Sequence, residues 1–421
     1  MFRMKMGFLF LILFPLFLAA QQDVVIAGPM KGQADLEKAI YWVMLEDKSR
    51  GERIFPDELE SYFSNEKARL GFQRQSVIEE ESVKFGNEYT LKIKLDQPTN
   101  ATAQVRGFEG KDIHFLIGSC HFPHRGKMAE RRNVIFKEMQ KKNAEFMIWL
   151  GDNTYYLNSE WNHGQAMFDK WRYSRTQQYT AEFIKSIQHY AIWDDHDYGP
   201  NNSSGEFEGK DSTLFMFKAM WPSTTFGNRS TKEIFHKFSK GDIDFFMLDG
   251  RYHAKEGVQM FGPEQMLWLK EELQKSTANF KFIMTGNQMI SPNRLGEEWM
   301  DFPEERNDFL AFVEQEEISG IVLFSGDRHY TELHKMEREK SYPLYEFTCS
   351  PLTSISNPFG KWNRKGRQKK TYVGDQNFGE LTISGEEDLR RCTINTFNRK
   401  GDLLWTKVIL LKDLQVKSRE E

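Results

Sequence analysis

The sequence predicts an α/β protein preceded by a small all-β segment, and three features carry that expectation. Six short apolar runs follow Gly107, and each stops abruptly at a polar cluster. Segments with helical spacing lie between several of these runs. The stretch before residue 104 instead shows short alternating runs divided by turn formers. Short continuous apolar runs suit strands buried on both faces, and strands alternating with helices point to an α/β core.

The first twenty residues stand apart. Arg3 and Lys5 precede an unbroken apolar run from 8 to 18, followed by Ala19, Ala20 and Gln21. A basic start, a short apolar core and small residues at its end read as a secretory signal peptide cleaved after Ala20. The run is short for a hydrocarbon layer of ~30 Å, so no transmembrane segment is expected after cleavage. The expected division is therefore 1–20 signal peptide, 21–106 N-terminal β-sandwich domain and 107–421 α/β domain. The chain has 421 residues and a net charge of −4, and cleavage removes two positive charges. A mildly acidic exported protein is a poor candidate for general nucleic-acid binding. The three cysteines, Cys120, Cys349 and Cys392, leave at least one thiol without an internal partner. Whether Cys349 and Cys392 pair is open at this level.

Within residues 23–104, the runs AIYWVM at 39–44 and YTLKIKL at 89–95 are strand-like, with Pro98 and Asn100 as breakers. The later apolar runs are 114–118, 146–150, 190–193, 245–248, 280–284 and 321–324. Helices are expected at 128–142, 180–188 and 263–273, the last with Pro263 near its start. Strands return at 378–384, 392–397 and 403–411.

In an open α/β sheet, ligands gather outside the carboxyl ends of the strands. That edge would carry Cys120, Asp152, Tyr155, Asp195, His196, Asp249, Asp327 and His329. Any one Gly-Asp pair is ordinarily a turn, and a lone cysteine ordinarily a core thiol. The same theme repeated at successive strand ends points to metal ions, which compensate carboxylates, imidazoles and a thiol brought together.

The ordered motifs Gly118-Ser119-Cys120, Gly151-Asp152-Asn153-Thr154-Tyr155, Trp193-Asp194-Asp195-His196-Asp197 and Ser325-Gly326-Asp327-Arg328-His329 resemble those of the PhoD-like alkaline phosphatase/phosphodiesterase family, within the metallophosphoesterase superfamily. Leu248-Asp249-Gly250-Arg251-Tyr252, the segment from Gly262 to Leu269 and Gly28-Pro29-Met30 also resemble family segments. The resemblance implies a metallophosphoesterase-like β-sandwich core flanked by helices, preceded by an immunoglobulin-like all-β domain. It implies metal ligands at Cys120, Asp152, Tyr155, Asp195, Asp327 and His329, a catalytic His196, and substrate contacts from Arg251, Arg328 and Asn202. The implied cofactors are ferric iron and calcium, with zinc or manganese as alternatives. Such ions lower the pKa of bound water and hold a hydroxide for attack on phosphorus. The sequence departs from the family at Asn153, where an apolar or aromatic residue is common. It also lacks the twin arginine of many members' signals, which implies unfolded export and metal loading afterwards.

The function this implies is an exported phosphoesterase acting on phosphate monoesters, diesters or both, for phosphate acquisition. Two alternatives stand beside it: a narrow-specificity phosphodiesterase or pyrophosphatase with the same centre, and a non-catalytic exported surface-binding protein.

Overall fold

A computed structural model describes residues 22, 24–34, 38–48, 77–96, 112–157, 160–161, 163–223, 226–227, 232–292, 297–362 and 365–416. The expected signal peptide and the expected boundary near residue 106 lie outside them. Among the described residues, no helix is long and apolar enough to cross a membrane.

Four antiparallel strands come first: β1 (Val24–Ala34), β2 (Lys38–Glu46), β3 (Val77–Phe85) and β4 (Glu88–Asp96). The α/β part then runs β5 (Ile113–Gly118), α1 (Gly126–Gln140), β6 (Phe146–Leu150), α2 (Gly164–Thr176), α3 (Gln178–Ser186), β7 (Gln188–Ile192), the single turn α4 (Asp195–Tyr198) and α5 (Lys210–Met220). It continues through β8 (His236–Lys240), β9 (Ile243–Met247), α6 (Pro263–Lys275), β10 (Phe280–Met284), α7 (Pro303–Gln315) and β11 (Ile321–Ser325). Five strands close the chain: β12 (Glu332–Met336), β13 (Leu344–Thr348), β14 (Asn377–Ser384), β15 (Arg391–Asn398) and β16 (Leu403–Leu410).

These strands make two sheets. One has the order β16-β15-β14-β5-β6-β7-β1-β2-β4-β3, and the other β12-β13-β11-β10-β9-β8. Strands β5, β6 and β7 are parallel neighbours, as are β9, β10, β11 and β13. The runs FMIWL, FKFIM and IVLFS are buried at every position, as strands covered on both faces must be. Registers Leu150↔Ile192 and Met284↔Phe324 bring the carboxyl ends of neighbouring strands level. The chain therefore leaves each sheet along one edge, where its polar clusters collect.

An aromatic seam joins the sheets. Phe115 and Phe146 of the first sheet meet Phe245 of the second edge-on, at centroid distances of 5.5 and 5.7 Å. Phe238 stacks on Tyr190 at 3.6 Å and on Phe245 at 4.5 Å. Such pairs add ~0.5–1.5 kcal/mol each beyond their area burial.

The N-terminal strands are all β, as expected, but among the described residues they lie in one sheet rather than a separate sandwich, and β1 attaches them to β7 through the parallel pairing Lys31↔Gln188. They thus continue the first sheet. Arg175 of α2 bolts the junction: its guanidinium is buried between the rings of Trp42, Trp171 and Trp221, at 4.8, 5.0 and 4.6 Å. Trp171 is thus a core residue. All three cysteines are buried free thiols, so Cys349 and Cys392 do not pair.

Candidate metal centre

Most site residues sit shortly after a strand has ended, and the backbone there is unusual. Cys120, Asp152, Asn202, Asp327 and His329 all have positive φ, between 53° and 62°. Non-glycine residues rarely adopt this region, and such strain gathers at functional sites. Gly151 (φ 87°) makes the turn out of β6, where a Cβ would lie 2.5 Å from that of Asp194. A Cβ on Gly326 would meet the Leu150 carbonyl at 2.5 Å and Ser119 Oγ at 2.6 Å. These two glycines let the end of β6 press against the segments after β7 and β11.

Two donor groups result. Ligand atoms of Cys120, Asp152 and His329 lie within 4.8 Å of one another, and so do those of Asp152, Asp195 and His196. Asp152 belongs to both. The Tyr155 phenol lies in the first group, donating to Asp152 Oδ2 at 2.8 Å with His329 Nε2 3.0 Å away. Its ring packs on His196 at a centroid distance of 4.2 Å. The His196 backbone N–H donates to Asp152 Oδ1 at 3.3 Å, and Asn202 N–H donates to Asp195 Oδ2 at 2.7 Å. Asp327 belongs to neither group. Its carbonyl lies 3.5 Å from Cys120 Sγ and its carboxylate 3.1 Å from Arg328 Nη1.

Around these donors lies a supporting frame of buried polar groups. Asp194 caps α4 reciprocally with Asp197, a capping box that fixes where Asp195 and His196 emerge. Asn153 donates to Asp197 Oδ2 through its backbone at 3.1 Å and through its side chain. That pairing accounts for the polar residue after Asp152. Arg251, 3% exposed, bonds Asp194 at 2.5 Å and also Glu297. Arg328, 9% exposed, forms an ion pair with Glu298 at 3.0 Å and another with Asp327. Both guanidinium groups therefore counter carboxylates at the rim of the cluster. Asp249 accepts from Trp193 Nε1 at 2.7 Å and from the backbone N–H groups of Ile234, Arg251 and Tyr252, which makes it a loop anchor. Ser354 Oγ lies 3.4 Å from His329 Nε2. No sequence signal pointed to Ser354, because only the fold brings its loop under His329.

Electrostatics test whether metal ions fit. Burial, then the charges of Asp195, Asp194, Asp197 and Asp327, push the Asp152 carboxyl far above its ordinary range. Burial and Asp152 do the same to the Cys120 thiol and the Tyr155 phenol. Burial raises Asp197 to about 7 despite the N–H groups it accepts. Asp195 Oδ1 is buried and accepts no N–H or hydroxyl hydrogen bond. A bound cation reverses each of these penalties, so this donor set fits metal ions.

The profile described as PhoD-like phosphatase matches residues 115–388. The chain belongs to the PhoD-like phosphatase family. It is accordingly a metal-dependent phosphatase or phosphodiesterase. Among solved structures, the phosphatase is similar to one titled "Structure of PhoD", with a TM-score of 0.62, 14% identity, and 90% of this chain and 88% of that chain covered. It is also similar to the purple acid phosphatase PPD1 from yellow lupin seeds, with a TM-score of 0.57, 10% identity, and 93% and 75% covered. At such identities the likeness concerns the fold alone. No curated protein matches this sequence.

Proposed function

We propose that the phosphatase is exported and hydrolyses phosphate monoesters, diesters or both outside the cytoplasm, supplying phosphate to the cell. The observation that supports this most is Asp152, a buried carboxylate shared by two donor groups at the meeting strand ends. In this reading Cys120, Asp152, Tyr155 and His329 would hold a ferric ion, and Asp152 with Asp195 would hold calcium. Thiolate and phenolate donors suit the former, and carboxylate and amide oxygens the latter. When bound, the ions lower the pKa of water and counter the charge on the phosphoryl oxygens.

The protein's own groups do the rest. His196 is the half-buried member of its group, and its ring stands over Tyr155. It holds a proton where the leaving oxygen departs. Asp327 adds negative field beside Cys120 and keeps Arg328 at the rim, while Arg251 fixes Asp194 and with it the start of α4. Asn202 is exposed and tied by its backbone to Asp195, a placement suited to meeting a phosphate oxygen.

The test is hydrolysis of p-nitrophenyl phosphate and of bis(p-nitrophenyl) phosphate by the metal-loaded protein and by Asp152→Asn. Turnover of at least one ester that the substitution abolishes is expected. No turnover of either by protein with bound metal would overturn the reading. Export is checked separately by the mature N-terminus, expected at Gln21.

A further inference from the structure

A second concavity lies beside the metal centre, on the far side of one short loop. It has a volume of about 470 Å³ and is lined by Lys127, Arg131 and Arg132 of α1, Arg399 from the turn between β15 and β16, and Asp375 and Gln376. Four cations from two separate segments thus face one carboxylate, in a chain whose net charge is −4. Among the described residues, none of the four forms an ion pair. The crowding is felt by Arg132, whose guanidinium is pulled below its ordinary range by burial and then by Arg399 and Arg131, with Asp375 opposing.

The loop 353–356 ties this basin to the site. Thr353 and Ser354 donate backbone N–H groups to the Cys120 carbonyl at 3.3 and 3.1 Å. Ser354 Oγ lies 3.4 Å from His329. On the other side Arg132 Nη1 bonds the Thr353 carbonyl at 2.7 Å, Gln376 Nε2 bonds the Ser354 carbonyl at 2.9 Å, and Ser356 lines the basin. Ile355, 63% exposed, forms the crest between them. Ser354 and Ser356 are two residues apart, a span of at most ~7 Å along the chain.

We propose that this basin is a subsite for a second anionic group of the substrate, so that the phosphatase prefers phosphoesters bearing another phosphate several bonds from the reacting phosphorus. The proposal rests on the phosphoesterase reading and adds a substrate class to it. Guanidinium groups bind phosphate in bidentate fashion, and a cationic basin beside a site captures and orients a doubly charged substrate. The loop 353–356 standing between basin and donors favours two phosphates joined by a spacer over a pyrophosphate, whose phosphorus atoms share one bridging oxygen.

The test uses a matched pair, hexyl phosphate and 1,6-hexanediol bisphosphate, which differ only at the far end. The bisphosphate is expected to show a KM lower by about tenfold or more, the worth of one charge-assisted contact, against the factor of about two that two equivalent ends give by statistics alone. Arg131→Gln, on an exposed helix face, is expected to erase that advantage while the monophosphate, which carries no second charge for the basin, behaves as before. Arg131→Lys should restore part of it, and raised salt should weaken it. A ratio of about two in the unaltered protein, or an advantage untouched by Arg131→Gln, would overturn the proposal. Calorimetric binding of 1,6-hexanediol bisphosphonate, compared with hexyl phosphonate, reads the basin without turnover. If neither ester is hydrolysed, the phosphoesterase reading fails while this binding difference still decides the subsite.

Discussion

The donor groups that share Asp152 are built from different parts of the molecule. Asp152, Asp195 and His196 all follow strands of one sheet, β6 and its neighbour β7. Cys120, Asp152 and His329 straddle both sheets, since His329 follows β11 of the second. The first of these groups depends on local turn geometry, chiefly the α4 capping box. The other depends on the sandwich being closed, and it carries the thiol and the phenol. One group is therefore a property of neighbouring strands and the other a property of the whole fold.

The largest effect should come where the groups meet. Asp152→Asn is expected to lower turnover by ~1000-fold or more and to unload both groups. Turnover and metal content measured together check this, and loss at one group only would break the symmetry claimed for Asp152. Opening the seam should instead separate the groups. Phe245→Ala removes a ring packed against Phe115, Phe146, Phe238 and Phe282 and is expected to cost ~3–5 kcal/mol in stability. In metal titrations of the still-folded variant, the straddling group should weaken more than the local one.

His196→Ala should lower turnover by ~100-fold or more with iron retained, as expected of an acid–base group. Iron loss in this variant would place His196 in the support of the straddling group instead. The smallest effect concerns histidines away from the donors. Burial pulls His189 to about 3 and His236 to about 4. Each is neutral when folded and protonates more readily when unfolded. Their contribution is therefore present above pH ~6.5 and is lost as pH falls through that value towards 4 and 3, by about 1 kcal/mol per pH unit per ring. Denaturant midpoints between pH 7 and 4 check this, and His236→Phe should flatten the slope.

What the sequence disclosed follows the same division. The apolar runs before Cys120, Asp152, Asp195 and Asp327 were legible because strand burial and polar termination are local patterns. The Trp193–Asp197 string was legible for the same reason. The nearness of His329 to Tyr155 was not, because it depends on how two sheets close. Asp327 and His329 looked equivalent in sequence, yet only His329 enters a donor group. Arg251 and Arg328 gave no hint of Glu297 and Glu298, which their loops bring in from between β10 and α7. The attachment of β1 to β7, and the convergence of Arg131 with Arg399, involve pairings far apart in the chain that no periodicity records.

The central claim is that Asp152 joins two metal ions. Elemental analysis of the purified protein beside its Asp152→Asn variant tests it most directly. The account predicts about two ions per chain, iron with calcium, in the unaltered protein and loss of both in the variant. A folded protein that binds no metal after supplementation, or a variant that keeps both ions, would contradict it.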